Sequence, residues 1–278
     1  MQVKDIAVCV ASATGDKSAL ALAEQLASVS EAHVACSAIG VMQTVLLYNE
    51  FGMGAAYIEQ LNEEKALIEK FWDATREALD KAGQKFELRR HRTFNANLES
   101  LVAVIARYSD LTVIRAPAND APQPHTQMIE AALLGSGRPV LVAPVAWKPE
   151  TVGQKIVIGW DASREATRAL HDAIPLARQS AEITLVTVDA KPGSLDHGDA
   201  PGLDIAAHLA RHGFKVSLRN EGSLGRSTHE VLMQVASDVS ADMMVLGGYR
   251  HPRLQQALFG GVTRTMLRDV RLPLLLSH

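Results

Sequence analysis

Two cysteines in 278 residues are too few for a disulfide framework, and Cys9 and Cys36 each lie inside an apolar, strand-like run, as buried thiols of a reducing compartment do. Charge of one sign is also lacking. With 28 basic against 31 acidic side chains the net charge is −3, so no positive field draws the chain to nucleic acid or to an anionic membrane. No apolar run reaches the roughly 18 residues needed to cross a bilayer, and Lys4 and Asp5 lead directly into a strand pattern with no export signal. These absences point to a soluble cytoplasmic protein whose partners are small molecules or other proteins. What is present is apolar residue: a hydrophobic fraction of 47% over this length supports a core in each of two small domains.

The chain repeats itself. Ile6-Ala-Val-Cys-Val-Ala-Ser-Ala-Thr14 superimposes on Ile156-Val-Ile-Gly-Trp-Asp-Ala-Ser-Arg164, Ala19-Leu20 falls on Ala169-Leu170, and the run around Cys36 falls on Thr184-Leu-Val-Thr-Val188. Further on the spacing shortens, so that Asp110-Leu-Thr-Val-Ile114 meets Asp242-Met-Met-Val-Leu246 and Arg138-Pro-Val-Leu-Val142 meets Leu272-Pro-Leu-Leu-Leu276. The first copy therefore carries extra residues in its middle.

Short apolar runs alternate with helical periodicity in both copies, the pattern of βαβ units whose parallel sheet is covered by helices. The first copy reads as strands near 3–11, 33–40, 85–92, 111–116 and 139–143, with helices near 16–29, 55–82, 97–107 and 126–134. The second reads as strands near 155–160, 182–188, 214–220, 243–247 and 273–277, with helices near 164–178, 202–212, 226–238 and 260–269. Pro149 and Gly153 mark a short linker over 145–154, giving domains at 1–146 and 154–278. Met42 to Tyr57, with Gly52 and Gly54, is irregular and reads as a strand-to-helix connection, or as a lid or partner-facing loop.

The residues closest to chemistry lie in Val245-Leu-Gly-Gly-Tyr-Arg-His-Pro-Arg-Leu-Gln-Gln-Ala-Leu-Phe-Gly-Gly-Val-Thr263, an apolar strand joined to a helix start through a glycine-bracketed loop. Glycine lets a ligand approach backbone, and the free N–H groups of a first helical turn attract an anion. This stretch resembles the nucleotide loop of the universal stress protein family, G-x2-G-x9-G-[S/T]. Gly247 and Gly260 match it; Arg250 and Gly261 stand where the family has glycine and a hydroxyl residue. Ile156 to Leu170 is similar to that family's first strand, acidic tip and first helix, and Leu272 to His278 to its closing strand. The first half is similar more faintly, without the glycine loop.

The resemblance implies two tandem, doubly wound, five-stranded parallel sheets of Rossmann-like strand order 3-2-1-4-5. Their edge strands at 140–143 and 274–277 would pair across a pseudo-twofold axis, so that the chain forms a pseudo-dimer within itself and buries two sheet edges. It also implies ATP or AMP as ligand of the second half, at the carboxyl ends of the strands. Asp161, Ala162, Ser163 and the backbone near Val188 would hold adenine, Gly247 and Gly248 would admit ribose, and Gly260, Gly261, Val262 and Thr263 would receive phosphates. Arg250 brings a β-carbon and a long cation that either obstructs this loop or adds a phosphate contact.

The same residues have plainer readings. Asp161 and Ser163 are also placed to cap the helix that follows, Ser163 better. His251, Arg253 and Arg264 also suit a solvated face. In the first copy Ala11 stands for Asp161 and Arg115 for Gly247, so no nucleotide site is expected there. His208 and His212, four apart on a helix, lack a clear third ligand beside Asp196, His197 or Asp199, and no metal site is assigned. His171 and His229 sit in helical patterns without a nucleophile elbow, so no catalytic triad is indicated. The leading expectation is a stress-response binder or regulator, at most a slow ATP hydrolase. The alternative is a nucleotide-free scaffold working through protein contacts.

Overall fold

The computed structural model describes residues 2–43, 55–83, 85–118, 124–148, 151–194, 198–248 and 261–278. The first half runs β1 (Asp5–Val10), α1 (Lys17–Ser30), β2 (His33–Met42), α2 (Ala55–Lys81), β3 (Glu87–Phe94), α3 (Leu98–Arg107), β4 (Leu111–Arg115), α4 (His125–Ser136) and β5 (Val140–Ala143). The second runs β6 (Lys155–Gly159), α5 (Arg164–Ala173), β7 (Glu182–Val188), α6 (Leu203–Arg211), β8 (Lys215–Glu221), α7 (Thr228–Asp238), β9 (Met243–Gly247), α8 (Gly261–Arg268) and β10 (Leu274–Ser277). The extra length of the first copy lies partly in α2, 27 residues against 9 in α6.

All ten strands form one sheet in the order β3-β2-β1-β4-β5-β10-β9-β6-β7-β8. Each half is thus a 3-2-1-4-5 parallel sheet, and the two join through β5 and β10, which pair antiparallel with Leu275 opposite Leu141. The expected pseudo-dimer follows. Because that one junction is antiparallel, the carboxyl ends of the first half's strands lie on one edge of the sheet and those of the second half on the other. The edge strands, β3 and β8, are exposed or half-buried at every position but Thr93 and carry charge, which discourages further pairing.

Central strands read as unbroken apolar runs because helices cover both faces. One core, over α1, α2, α5 and α6, contains Cys36, Ile68, Trp72, Leu170 and Leu209; the other, under α3, α4, α7 and α8, contains Cys9, Val102, Leu133, Leu232 and Leu267. Both cysteines are free and buried, on opposite faces of the sheet. Burial pushes each thiol up to about 12.

The aligned aspartates before β4 and β9 share one structural job. Asp110 accepts hydrogen bonds from the N–H groups of Lys4 and Asp5, and Asp242 from those of Gly153, Gln154 and Lys155. Each fastens the start of its half's central strand.

Several boundaries differ from the sequence reading by a residue or two, and two differences have a clear physical reason. The helix expected over 164–178 stops at Ala173 and tightens into a 3₁₀ turn over Ile174–Leu176, because Pro175 has no N–H to continue the ladder. Strand β3 lies two residues later than expected, fixed by pairing of Cys36 with Leu88 and Met42 with Phe94. Of the irregular segment 42–57, residues 44–54 lie outside those described.

Candidate functional site

Three neighbouring strands of the second half, β7, β6 and β9, end on one sheet edge and carry the expected residues to it. At the tip of β6, Asp161 is exposed and its Oδ1 accepts the N–H of Ser163 at 3.1 Å, so this carboxylate shapes the turn. Ser163 is extended, φ −76° and ψ 162°, and its hydroxyl accepts the N–H of Ala166 at 3.1 Å, the capping role read from sequence. Between them Ala162 adopts φ 57°, and Asp189, next to Val188 at the tip of β7, adopts φ 53°. Four other non-glycine residues share the left-handed region, Glu31, Ser180, Leu224 and Ser240, but Ala162 and Asp189 stand on adjacent strand tips of this edge. Asp189 is held there by its N–H to Glu221 O and by the N–H of Ser223 to its Oδ1, both 2.9 Å.

Gly247 ends β9 under close contact. A β-carbon there would stand 2.5 Å from Ala166 N and 2.6 Å from Glu165 C, so the absence of a side chain lets β9 meet the first turn of α5. Gly248 follows, with its N–H donating to Ser277 O at 2.8 Å and its carbonyl accepting from His278 Nδ1 at 3.0 Å. Helix α8 then opens at Gly261, with Val262 exposed and Thr263 buried. Arg250 and Gly260, with His251 and Arg253, lie outside the described residues, as do Asp196 and His197.

The first half's matching edge is closed by its own side chains. Arg115, in the place of Gly247, is 2% exposed; its Nε donates to Asp16 Oδ1 at 2.7 Å and its Nη1 to Ala116 O at 3.0 Å. His125 Nε2 lies 2.8 Å from the same Oδ1 and so carries the proton of that contact. Asp16 Oδ2 accepts the N–H groups of Ala11 and Ser12, at 2.7 and 2.9 Å. The carboxylate thus receives four hydrogen bonds with no exposed surface. Burial would raise its pKa, but the hydrogen bond and electrostatic attraction of His125, the hydrogen bond of Arg115 and the N–H of Ala11 outweigh it and hold it below the ordinary range.

Room for this network comes from the helix. Helix α5 begins at Arg164, whose repeat counterpart is Thr14, whereas α1 begins only at Lys17. Residues 14–16 turn without helix, and the guanidinium occupies space that α5 fills in the second half. Sequence reading placed Arg115 opposite Gly247 but missed its partners. The one signal was a charged residue ending an apolar strand, which must find a counter-charge when buried.

Three histidines of the second half pack side by side. The rings of His171 and His208 lie 5.3 Å apart and those of His208 and His212 4.8 Å, but His171 Nδ1 donates to Thr167 O. Among the described residues no group of three or more His, Cys, Asp or Glu side chains is arranged to hold a metal ion. No helix of those residues is long and apolar enough to cross a membrane.

The sequence pattern of the universal stress protein family matches residues 153–278. No curated protein matches the chain. Among solved structures, a universal stress protein from Archaeoglobus fulgidus DSM 4304 is similar over 99% of this chain and 96% of its own, at 12% identity and a TM-score of 0.66. A universal stress protein candidate from Pseudomonas aeruginosa UCBPP-PA14 covers 99% and 93% at 16% identity and 0.60. A functionally unknown protein from Pseudomonas aeruginosa PAO1 covers 99% and 92% at 16% identity and 0.56. At such identities the likeness is one of fold, and it takes in both halves. Residues 153–278 thus match the universal stress protein family, and the first half repeats the same fold, with the same strand order, in tandem.

Proposed function

We propose that the protein is a cytoplasmic stress-response binder whose second half takes an adenine nucleotide, ATP or AMP, while its first half is structural. In this reading Asp161 and the backbone at Ala162, Ser163 and Val188 face the base. Gly247 and Gly248 line the ribose, and Gly260, Gly261, Val262, Thr263 and Arg250 meet the phosphates. The observation that carries it is that the neighbouring strands β7, β6 and β9 bring Val188, Asp161 and Gly247 to one edge of the sheet. The equivalent edge of the first half has Arg115 and Asp16 in the way. Domains at 1–146 and 154–278 would then divide the labour, one closed and one open.

The role is binding, without a catalytic residue assigned. Calorimetric titration of the purified full chain with ATP and with AMP tests it. Binding heat that Asp161→Ala weakens about tenfold, roughly 1.4 kcal/mol, is the expected result. Absence of heat at millimolar nucleotide overturns it and leaves the ligand-free scaffold as the reading.

A further inference from the structure

We infer that Leu133, a residue of the first half, is a positioning residue for the second half's ligand edge; this deepens the nucleotide reading above and rests on it. Helix α4 begins with His125, which is hydrogen-bonded to Asp16 on the first half's carboxyl edge. Its 12 residues span about 18 Å at 1.5 Å each, and as a crossover helix it returns to the opposite edge, where β5 starts. Since β5 and β10 are antiparallel, that edge is the one on which β6, β7 and β9 end. The two halves meet there. A β-carbon on Gly248 would stand 2.8 Å from Leu133 Cδ2, and Arg168 of α5 donates to the carbonyl of Gly137 just past α4.

Gly248 is therefore held on three sides: by Ser277 O on its N–H, by His278 on its carbonyl, and by the Leu133 side chain, 1% exposed. The first two restraints belong to the second half, the third to the first. Leu133 fixes how far the Gly247–Gly248 backbone stands out from the edge, so the binding surface of one half is completed by a side chain of the other. Apolar packing suits this task because close-packed interiors transmit small displacements and do not absorb them.

The test measures ATP and AMP affinity by calorimetry on the full chain with Leu133→Ala, Leu133→Met and Ile129→Ala. Ile129 is buried on the same helix one turn nearer the other edge, so its truncation reports lost stability without the contact at Gly248. Leu133→Ala is expected to weaken nucleotide about tenfold, Leu133→Met to retain wild-type affinity because it conserves volume, and Ile129→Ala to lower the melting temperature alone. Equal affinity losses in Leu133→Ala and Ile129→Ala, with a binding wild type, overturn this inference and spare the nucleotide reading. A wild type without binding heat overturns both.

Discussion

Arg115 and Asp16, 99 positions apart in the chain, form an ion pair of 2.7 Å with side chains 2% and 0% exposed, where the other half of the molecule has Gly247 and Ala166. The same place in the fold carries a buried guanidinium in one half and a glycine in the other. The consequences reach stability before they reach binding, because a buried carboxylate depends on its partners.

Arg115→Met removes the guanidinium and leaves Asp16 buried with two backbone donors and His125. We expect a loss of about 3–5 kcal/mol, the usual effect of breaking a buried pair from one side. Urea unfolding followed by circular dichroism measures it. The double variant Asp16→Asn with Arg115→Met should recover part of that loss, and strict additivity would mean that the two groups do not interact in the folded state.

The depressed Asp16 pKa gives the pH dependence a definite sign. A carboxyl that binds its proton less readily when folded adds stability above its unfolded value of 3.8, and that stability is lost as pH falls through the lower folded value. Acid unfolding of the wild type should therefore include a component that Asp16→Asn lacks. Parallel stability curves for the two proteins below pH 4 would contradict the assignment.

Gly247→Ala should destabilise whether or not nucleotide binds. Its β-carbon meets backbone atoms of α5 at 2.5 and 2.6 Å, which no rotamer change relieves. Forced overpacking of this kind costs about 1–3 kcal/mol. A melting temperature equal to wild type would show that α5 shifts freely.

Cys9 and Cys36 are buried with their thiols pushed up to about 12, so neither presents a thiolate near neutrality. A chromogenic disulfide reagent should titrate no thiol in the native protein and two in denaturant. Rapid labelling of the native protein would place one of these residues at the surface.

Helix α7 and strand β9 were legible because their signals are local. Ser227 accepts the N–H of Glu230, and the Glu230 side chain accepts the N–H of Ser227, a capping box three residues in span. The Met243–Gly247 run is apolar at every position before its glycine. The 3₁₀ turn at Ile174–Leu176 was signalled by Pro175 yet read through, since helical periodicity continued past it. Of the candidate site, Ser163 was read correctly as a cap. At Gly247 the sequence shows the missing side chain, and the structure adds that a β-carbon there would meet Glu165 and Ala166.

The sequence by itself determined the duplication, the order of strands and helices in each copy, and the mismatch between Arg115 and Gly247, because these follow from periodicity, caps and alignment within a few dozen residues. Only the tertiary structure decided that Arg115 would meet Asp16 and His125, and that Leu133 would lie against Gly248 across the join. The first contact depends on how β1 and β4 lie side by side and the second on how β5 and β10 bring two sheets together, and no local preference encodes either distance.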